Sequence, residues 1–196
     1  MKKILFLGGS TFQLPPIIYA VNNGYYVITL DKNKNCPGFI YSNESYEISI
    51  DNKNQVLKLA KKLKIDAVVA FASDKAALTA SYISEKLKLP GNPLKAVKLL
   101  THKDLYKRFL QKNNFFVPNF KTYSSKIKAY KFAKKMKLPI FIKPIDSSGS
   151  KGVTKLKNFK NFNMAFNNAL KFSQKKRIII EESITRKHYQ IAGDAF

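Results

Sequence analysis

Apolar residues fall into short blocks separated by polar turns, and the spacing within the blocks changes along the chain. Residues 3–7 hold the continuous apolar run Ile4-Leu5-Phe6-Leu7, and residues 26–30 form another. Runs of that length, bounded by turn residues, predict strands buried on both faces. Between them, residues 14–23 predict a helix with Pro15 and Pro16 in its first turn and Gly24 as its stop. Asp51 is placed to cap a helix whose apolar stripe is Val56, Leu57, Ala60 and Leu63. Residues 67–71 predict a third strand, and Ser73 or Asp74 caps a helix running to Leu87. Alternating strand and helix implies a parallel sheet with right-handed crossovers.

Leu89-Pro90-Gly91-Asn92-Pro93 interrupts this rhythm and marks a domain boundary, with residues 1–92 before it and 93–196 after it. Two short helices follow, the second opening on Thr101-His102-Lys103-Asp104, a spacing that fits a capping box. Val117-Pro118 ends that segment, and residues 126–136 predict a further helix. Residues 139–143 predict a strand, then a polar turn, then a strand over 152–156. Phe162, Ala165, Phe166, Ala169 and Leu170 recur at helical spacing, the stripe of a helix packed on a core. Residues 177–182 predict an apolar strand ending in two acids, and 188–196 the start of another. The fold class is α/β: a Rossmann-like domain with a parallel sheet, followed by an α+β unit.

Composition changes this picture little. The chain has 196 residues, 45% of them apolar, which is enough for one or two packed cores. The run after Met1 is too short for a secretory signal and no membrane-length window occurs, so a cytoplasmic protein with no membrane partner is expected. Cys36 is the only cysteine, which excludes an internal disulfide. The formal charge of +24 invites a nucleic-acid partner. It is discounted, because arginine occurs only at Arg108, Arg177 and Arg186 and the lysines are spread along the whole chain. Nucleic acid is therefore not the expected partner, although any anionic ligand gains from the field.

Three segments could carry chemistry. Gly8-Gly9-Ser10 lies between a strand and a helix, where backbone amides favour an anion, and Asp31 ends the next strand where a ribose-binding acid often sits. The third glycine of a dinucleotide fingerprint is missing, which disfavours a redox cofactor, and a tight turn with a capping acid accounts equally well for these residues. The second segment is stronger. Lys143 ends a strand at the mouth of Pro144-Ile145-Asp146-Ser147-Ser148-Gly149-Ser150-Lys151-Gly152-Val153. Glycines there allow close backbone approach, serines add short donors, and a fixed lysine beside them suits a triphosphate. An ordinary hairpin loop is the bland alternative, and the Walker pattern is absent. In the third, Ile178-Ile179-Ile180-Glu181-Glu182-Ser183-Ile184, a strand end offers backbone groups and an acid to a flat base.

In this order the segments resemble the ATP-grasp superfamily of ligases, of the carbamoyl-phosphate-synthase-like and carboxylate–amine type. Residues 4–13 with 26–31, and 65–69 with Phe71-Ala72-Ser73-Asp74, resemble its pre-ATP-grasp domain. Residues 89–92, then Lys103-Asp104 and Val117-Pro118, resemble its passage into the grasp domain, and the second and third segments its phosphate loop and adenine strand. The resemblance implies that Lys103 and Lys143 hold ATP phosphates, with Ser148, Gly149, Ser150 and Gly152 in the loop above them. It implies that Glu181 accepts from the adenine amine while backbone at Glu182 and Ile184 reads the ring edge. His188 falls where many members have a ribose-binding acid. Gly8, Gly9, Ser10, Asp31 and Asp74 are the implied substrate-binding positions; no catalytic residue is assigned. The implied ligands are ATP, a small carboxylate and Mg2+. The resemblance further implies that this chain holds only the first half of the grasp domain. The metal ligands would then lie beyond residue 196, with nucleotide binding without turnover as its expected property. A non-catalytic nucleotide- or partner-binding protein is the alternative. Homodimerisation is a further expectation, since domains of this leading type often pair.

Overall fold

The computed structural model describes residues 1–185, 188 and 189. The chain forms two compact units, Met1–Lys98 and Leu99–Phe196. In the first, β1 (Lys3–Leu7) leads through a 3-10 turn into α1 (Leu14–Asn22) and β2 (Tyr26–Asp31). There follow α2 (Gly38–Tyr41), β3 (Glu44–Glu47), α3 (Lys53–Leu63), β4 (Ala67–Val69) and α4 (Asp74–Leu87). The four strands are parallel in the order β3-β2-β1-β4. The winding therefore reverses between β1 and β4, the position at which open α/β sheets present a crevice. Both sheet faces are covered. Leu5, Leu7, Ile28 and Leu30 pack on Val56, Ala60, Ala76 and Ile83, while Phe6 and Val27 pack on Ile17 and Ala20. That double burial is why the strands read as unbroken apolar runs.

The second unit follows from α5 (Leu94–Thr101), within which the division falls, and α6 (Lys103–Lys112). It continues with β5 (Phe120–Tyr123), α7 (Lys126–Ala133), β6 (Ile140–Pro144), β7 (Thr154–Leu156), α8 (Phe162–Phe172) and β8 (Ile178–Glu182). Its strands are antiparallel throughout, in the order β5-β8-β6-β7. One face carries Ile140, Ile142, Leu156, Ile178 and Ile180, which close on Ala129, Ala133, Phe162, Ala165, Phe166 and Ala169. These are the stripes of α7 and α8. Strand alternation leaves Phe120, Thr122, Phe141, Lys143, Ile179 and Glu181 on the opposite face.

The structure departs from the sequence-based expectations in local ways. Asn52, not Asp51, caps α3, its side chain accepting from Gln55 N at 3.2 Å, while Asp51 faces Lys75 at 3.9 Å. Ser73 is the cap of α4, and Asp74 is the exposed first residue of that helix. Thr101 closes α5 instead of opening a capping box, and His102 is the residue before α6. Helix α7 stops at Ala133, because Lys135 and Met136 turn back to bond Phe132 and Ala133. Strand β7 begins at Thr154, since Gly152 is still in the turn with φ +74°. The helix α2 and the strands β3 and β5 were not predicted. The strand expected over 188–196 lies largely outside the described residues. Among the described residues, no helix is long and apolar enough to cross a membrane.

Candidate functional site

Strand alternation fixes the first element of the site. Lys143 pairs in register with Ile179 and Glu181 with Phe141, so lysine and glutamate lie diagonally on one face of adjacent strands. Lys143 Nζ donates to Glu181 Oε1. The other carboxylate oxygen, Oε2, lies 3.0 Å from Lys107 Nζ. No well-angled hydrogen bond forms there, yet at that separation the ammonium is an ion-pair partner. The Glu181 side chain is only 6% exposed, and each of its carboxylate oxygens faces an ammonium group inside the protein.

Lys107 comes from α6, one helical turn after Lys103, and its ammonium lies 5.7 Å from the centroid of the Phe120 ring. Sequence reasoning passed over it, although its spacing of four from Lys103 places both on one helix face. Lys103 is tied to the turn that follows Lys143. Its amide donates to Ile145 O at 2.9 Å, and its ammonium donates to Ser147 O. The structure thus brings Lys103, Lys143 and Glu181 to one cluster, as the sequence requires if they are to hold a single ligand. Arg177, one residue before β8, donates to Thr122 Oγ1 at 2.7 Å and adds a further cation that the sequence left unmarked. Asp104 is also buried, and its Oδ1 has no partner among the described residues. As the second residue of α6 it lies where the helix dipole favours a negative charge.

The glycine-containing turn has two parts. Lys151 N bonds Ser148 O at 3.3 Å and Val153 N bonds Ser150 O at 3.2 Å. The amides of Ser148, Gly149 and Ser150, all exposed, take no acceptor among the described residues. Gly149 has φ +61° with open space around it. Gly152 is buried, and a Cβ there would meet Phe172 at 3.0 Å. The first glycine therefore serves the exposed tip and the second the anchoring of the loop on α8. Asp146 pins the base of the turn by accepting from Ser173 Oγ at 2.7 Å and Lys175 N at 2.8 Å.

At the far end of β8, the Glu182 amide donates to Asn119 O at 3.0 Å, and its carboxylate accepts from Asn119 N at 3.2 Å. Its amide is thus committed within the protein. Ile184 and His188 are exposed. Among the described residues, no group of three or more His, Cys, Asp or Glu side chains comes together. Of the two buried acids near the cluster, Glu181 is already matched by two ammonium groups, and Asp104 is not joined by two further side chains of those kinds among the described residues. The described residues therefore do not assemble a magnesium site.

In the first unit, Gly8, Gly9, Ser10, Asp31 and Asp74 lie at or just beyond the carboxyl ends of β1, β2 and β4. The turn after β1 is internally satisfied. Gly9 N donates to Asp31 Oδ2 at 3.0 Å, Ser10 N to Gln13 Oε1 at 3.1 Å, and Gly8 N to Leu30 O at 2.8 Å. Gly9 is small for a packing reason: a Cβ would lie 2.6 Å from Cys36 Sγ. Gln13, buried, bridges to Phe71 O at 2.7 Å and links the turns after β1 and β4. Ala72 beside it has φ +52°, a backbone conformation that costs a non-glycine residue energy.

Comparison with known proteins covers both units. Residues 110–192 match the family described as "D-ala D-ala ligase C-terminus". The chain is 26% identical over 184 residues to the formate-dependent phosphoribosylglycinamide formyltransferase of Methanocella arvoryzae, covering 93% of this chain and 43% of that protein. It is 30% identical over 106 residues to the D-alanine–D-alanine ligase of Blochmanniella floridana, covering 52% of this chain and 29% of that protein. Among solved structures, the N5-carboxyaminoimidazole synthetase of Staphylococcus aureus complexed with ADP superposes with a TM-score of 0.75 at 20% identity, covering 95% of this chain and 48% of that one. This chain spans less than half the length of these relatives.

Proposed function

We propose, from its likeness to ATP-grasp ligases over both units, that the chain is a member of that superfamily, that its second unit binds ATP, and that the protein takes part in ATP-dependent joining of a carboxylate to an amine or similar nucleophile. The single observation that carries the proposal is that Lys103 bonds the turn over residues 144–153 through Ser147 O, while Lys143, the residue before that turn, pairs with the buried carboxylate of Glu181. Two ammonium groups fixed by backbone and carboxylate contacts offer localised positive charge to a polyphosphate. Ser148, Gly149, Ser150 and Gly152 form the loop that covers it, with three exposed amides as further donors. Glu181 accepts from the exocyclic amine of the base, the chain at Glu182 and Ile184 faces the ring edge, and His188 offers a ring nitrogen to a ribose hydroxyl.

In the reaction class proposed, a carboxylate oxygen attacks the γ-phosphorus of ATP, ADP leaves, and an acylphosphate forms. The nucleophile then displaces phosphate. What this chain's own residues contribute is binding, orientation and charge neutralisation by the two lysines. The carboxyl edge of the first unit, with Gly8, Gly9, Ser10, Asp31 and Asp74, is the proposed region for the small carboxylate. As the amides of Gly9 and Ser10 are committed to Asp31 and Gln13, a ligand there would meet side chains and the 3-10 turn. The proposal for this chain is nucleotide binding. Calorimetric titration with ATP tests it: binding is expected in the wild type and at least about tenfold weaker in Lys143→Ala, the loss of one charged hydrogen bond. Equal affinity in the two proteins would remove Lys143 from the phosphate site.

A further inference from the structure

The buried carboxylate has two cationic partners, and the proposed function gives one of them another task. Lys143 neutralises Glu181 through Oε1, yet Lys143 is also the residue placed to meet phosphate. When its ammonium turns toward a triphosphate, Glu181 would lose a partner while remaining inside the protein. A buried carboxylate left without a partner is costly and moves toward water, which removes it as a placed acceptor.

Lys107 stands where it prevents this. Its ammonium is 3.0 Å from Oε2, the oxygen that Lys143 does not use, and its side chain is only 17% exposed. Its ammonium also lies 5.7 Å from the centroid of the Phe120 ring, whose residue is the direct cross-strand neighbour of Glu181. Lys107 and Lys103 lie one turn apart on α6, so a single helix positions both a cation for the turn and a cation for the carboxylate. We infer that Lys107 is the positioning residue for the base-reading carboxylate: it holds Glu181 in place through Oε2, which leaves Oε1 to accept from an exocyclic amine once Lys143 engages phosphate. This inference rests on the reading of Glu181 as the acceptor for the adenine amine.

The division of labour between the two oxygens makes Lys107 a specificity residue without contact to the ligand. Its removal has to act on the choice of base more than on the phosphates. The probes are ATP and inosine triphosphate, which has a carbonyl in place of the amine, titrated calorimetrically into the whole chain. The wild type is expected to prefer ATP by about tenfold or more, the value of one hydrogen bond to a charged acceptor. Lys107→Met is expected to bring the two nucleotides within about twofold of each other, and Lys107→Arg to restore most of the preference. Lys107→Gln, which keeps a polar group in the same space, serves if the methionine variant does not fold, with the same expectation. Glu181→Ala separates the role of the carboxylate from that of the lysine. If Glu181→Ala abolishes the preference and Lys107→Met or Lys107→Gln keeps it, Lys107 does not position the carboxylate. Equal weakening of both nucleotides in the lysine variants would overturn the inference in the same way. If the wild type shows no preference, or Glu181→Ala retains it, the reading of Glu181 itself fails and the inference falls with it.

Discussion

Lys143 and Glu181 stand on adjacent antiparallel strands, offset by two residues on the same sheet face, and are joined by a direct ion pair. The pair is enclosed: the glutamate is 6% and the lysine 23% exposed. Such a pair is conditionally useful. While both members remain, their charges compensate; when one is removed, the other is left in a poorly solvated place. A double-mutant cycle of Lys143→Ala and Glu181→Gln, read by urea unfolding, is therefore expected to give a coupling energy of about 1–3 kcal/mol. Strict additivity would show that the two side chains do not depend on one another.

The close approach of two backbone segments in the first unit gives a second expectation. Gly38 N donates to Gly9 O at 2.7 Å, and a Cβ on Gly38 would lie 2.7 Å from Gly9 Cα. The obstacle is main chain, which has no rotamer to change. Gly38→Ala is expected to lower stability by about 1–3 kcal/mol, as overpacking does. Gly149→Ala meets no neighbour and has only its left-handed φ to oppose it, at about 1–2 kcal/mol. Chemical denaturation of the two variants checks both figures; an unchanged midpoint for Gly38→Ala would contradict the packing described.

Titration at high pH provides a third. Burial, and after it the Asp31 carboxylate nearby, push the Cys36 thiol above its ordinary value. A group with a raised folded pKa binds its proton more tightly when folded. The stability it contributes is full below the unfolded value and declines as pH rises past about 8.5 and on through the folded value. Tyr46 acts in the same direction, raised first by its hydrogen bond to Glu44 and then by burial, as does Tyr123 through burial. Urea midpoints are expected to fall as pH is raised from about 8 to about 10, and the Cys36→Ser variant to show a shallower fall. Cys36 is also expected to react with a thiol reagent at about pH 8 only as fast as the protein opens, because it is 3% exposed. Immediate labelling of the native protein would contradict its placement.

The parts of this fold that were legible in the sequence are those with a physical period. The apolar runs of β1 and β2 and the stripe from Phe162 to Leu170 each have a packing partner in the structure. Strand β3 has the sequence Glu-Ser-Tyr-Glu and lies at the sheet edge, so it carries almost no apolar signal. Strand β5, also an edge, is interrupted by Lys121 and is held by pairing with β8 rather than by its own pattern. Helix α2 is a tertiary feature, set by Gly38 lying against Gly9. At the site, Lys143 and the glycine turn were legible as chemistry beside a strand end, whereas Lys103 came only from the family resemblance and Lys107 was passed over. That Gly9 serves packing and that Asp31 occupies its amide were not, because both depend on residues far apart in sequence.

The central claim is that Lys103 and Lys143 act together on the phosphates of a nucleotide. It is tested most directly by titrating ATP and AMP, separately, into the wild type and into the double variant Lys103→Ala/Lys143→Ala, with circular dichroism to establish that the variant is folded. Two charged hydrogen bonds to the terminal phosphates correspond to a preference for ATP of at least about tenfold in the wild type. The account expects that preference to shrink to within about threefold in the double variant, with AMP affinity nearly unchanged. A double variant that keeps the full wild-type preference for ATP would contradict it.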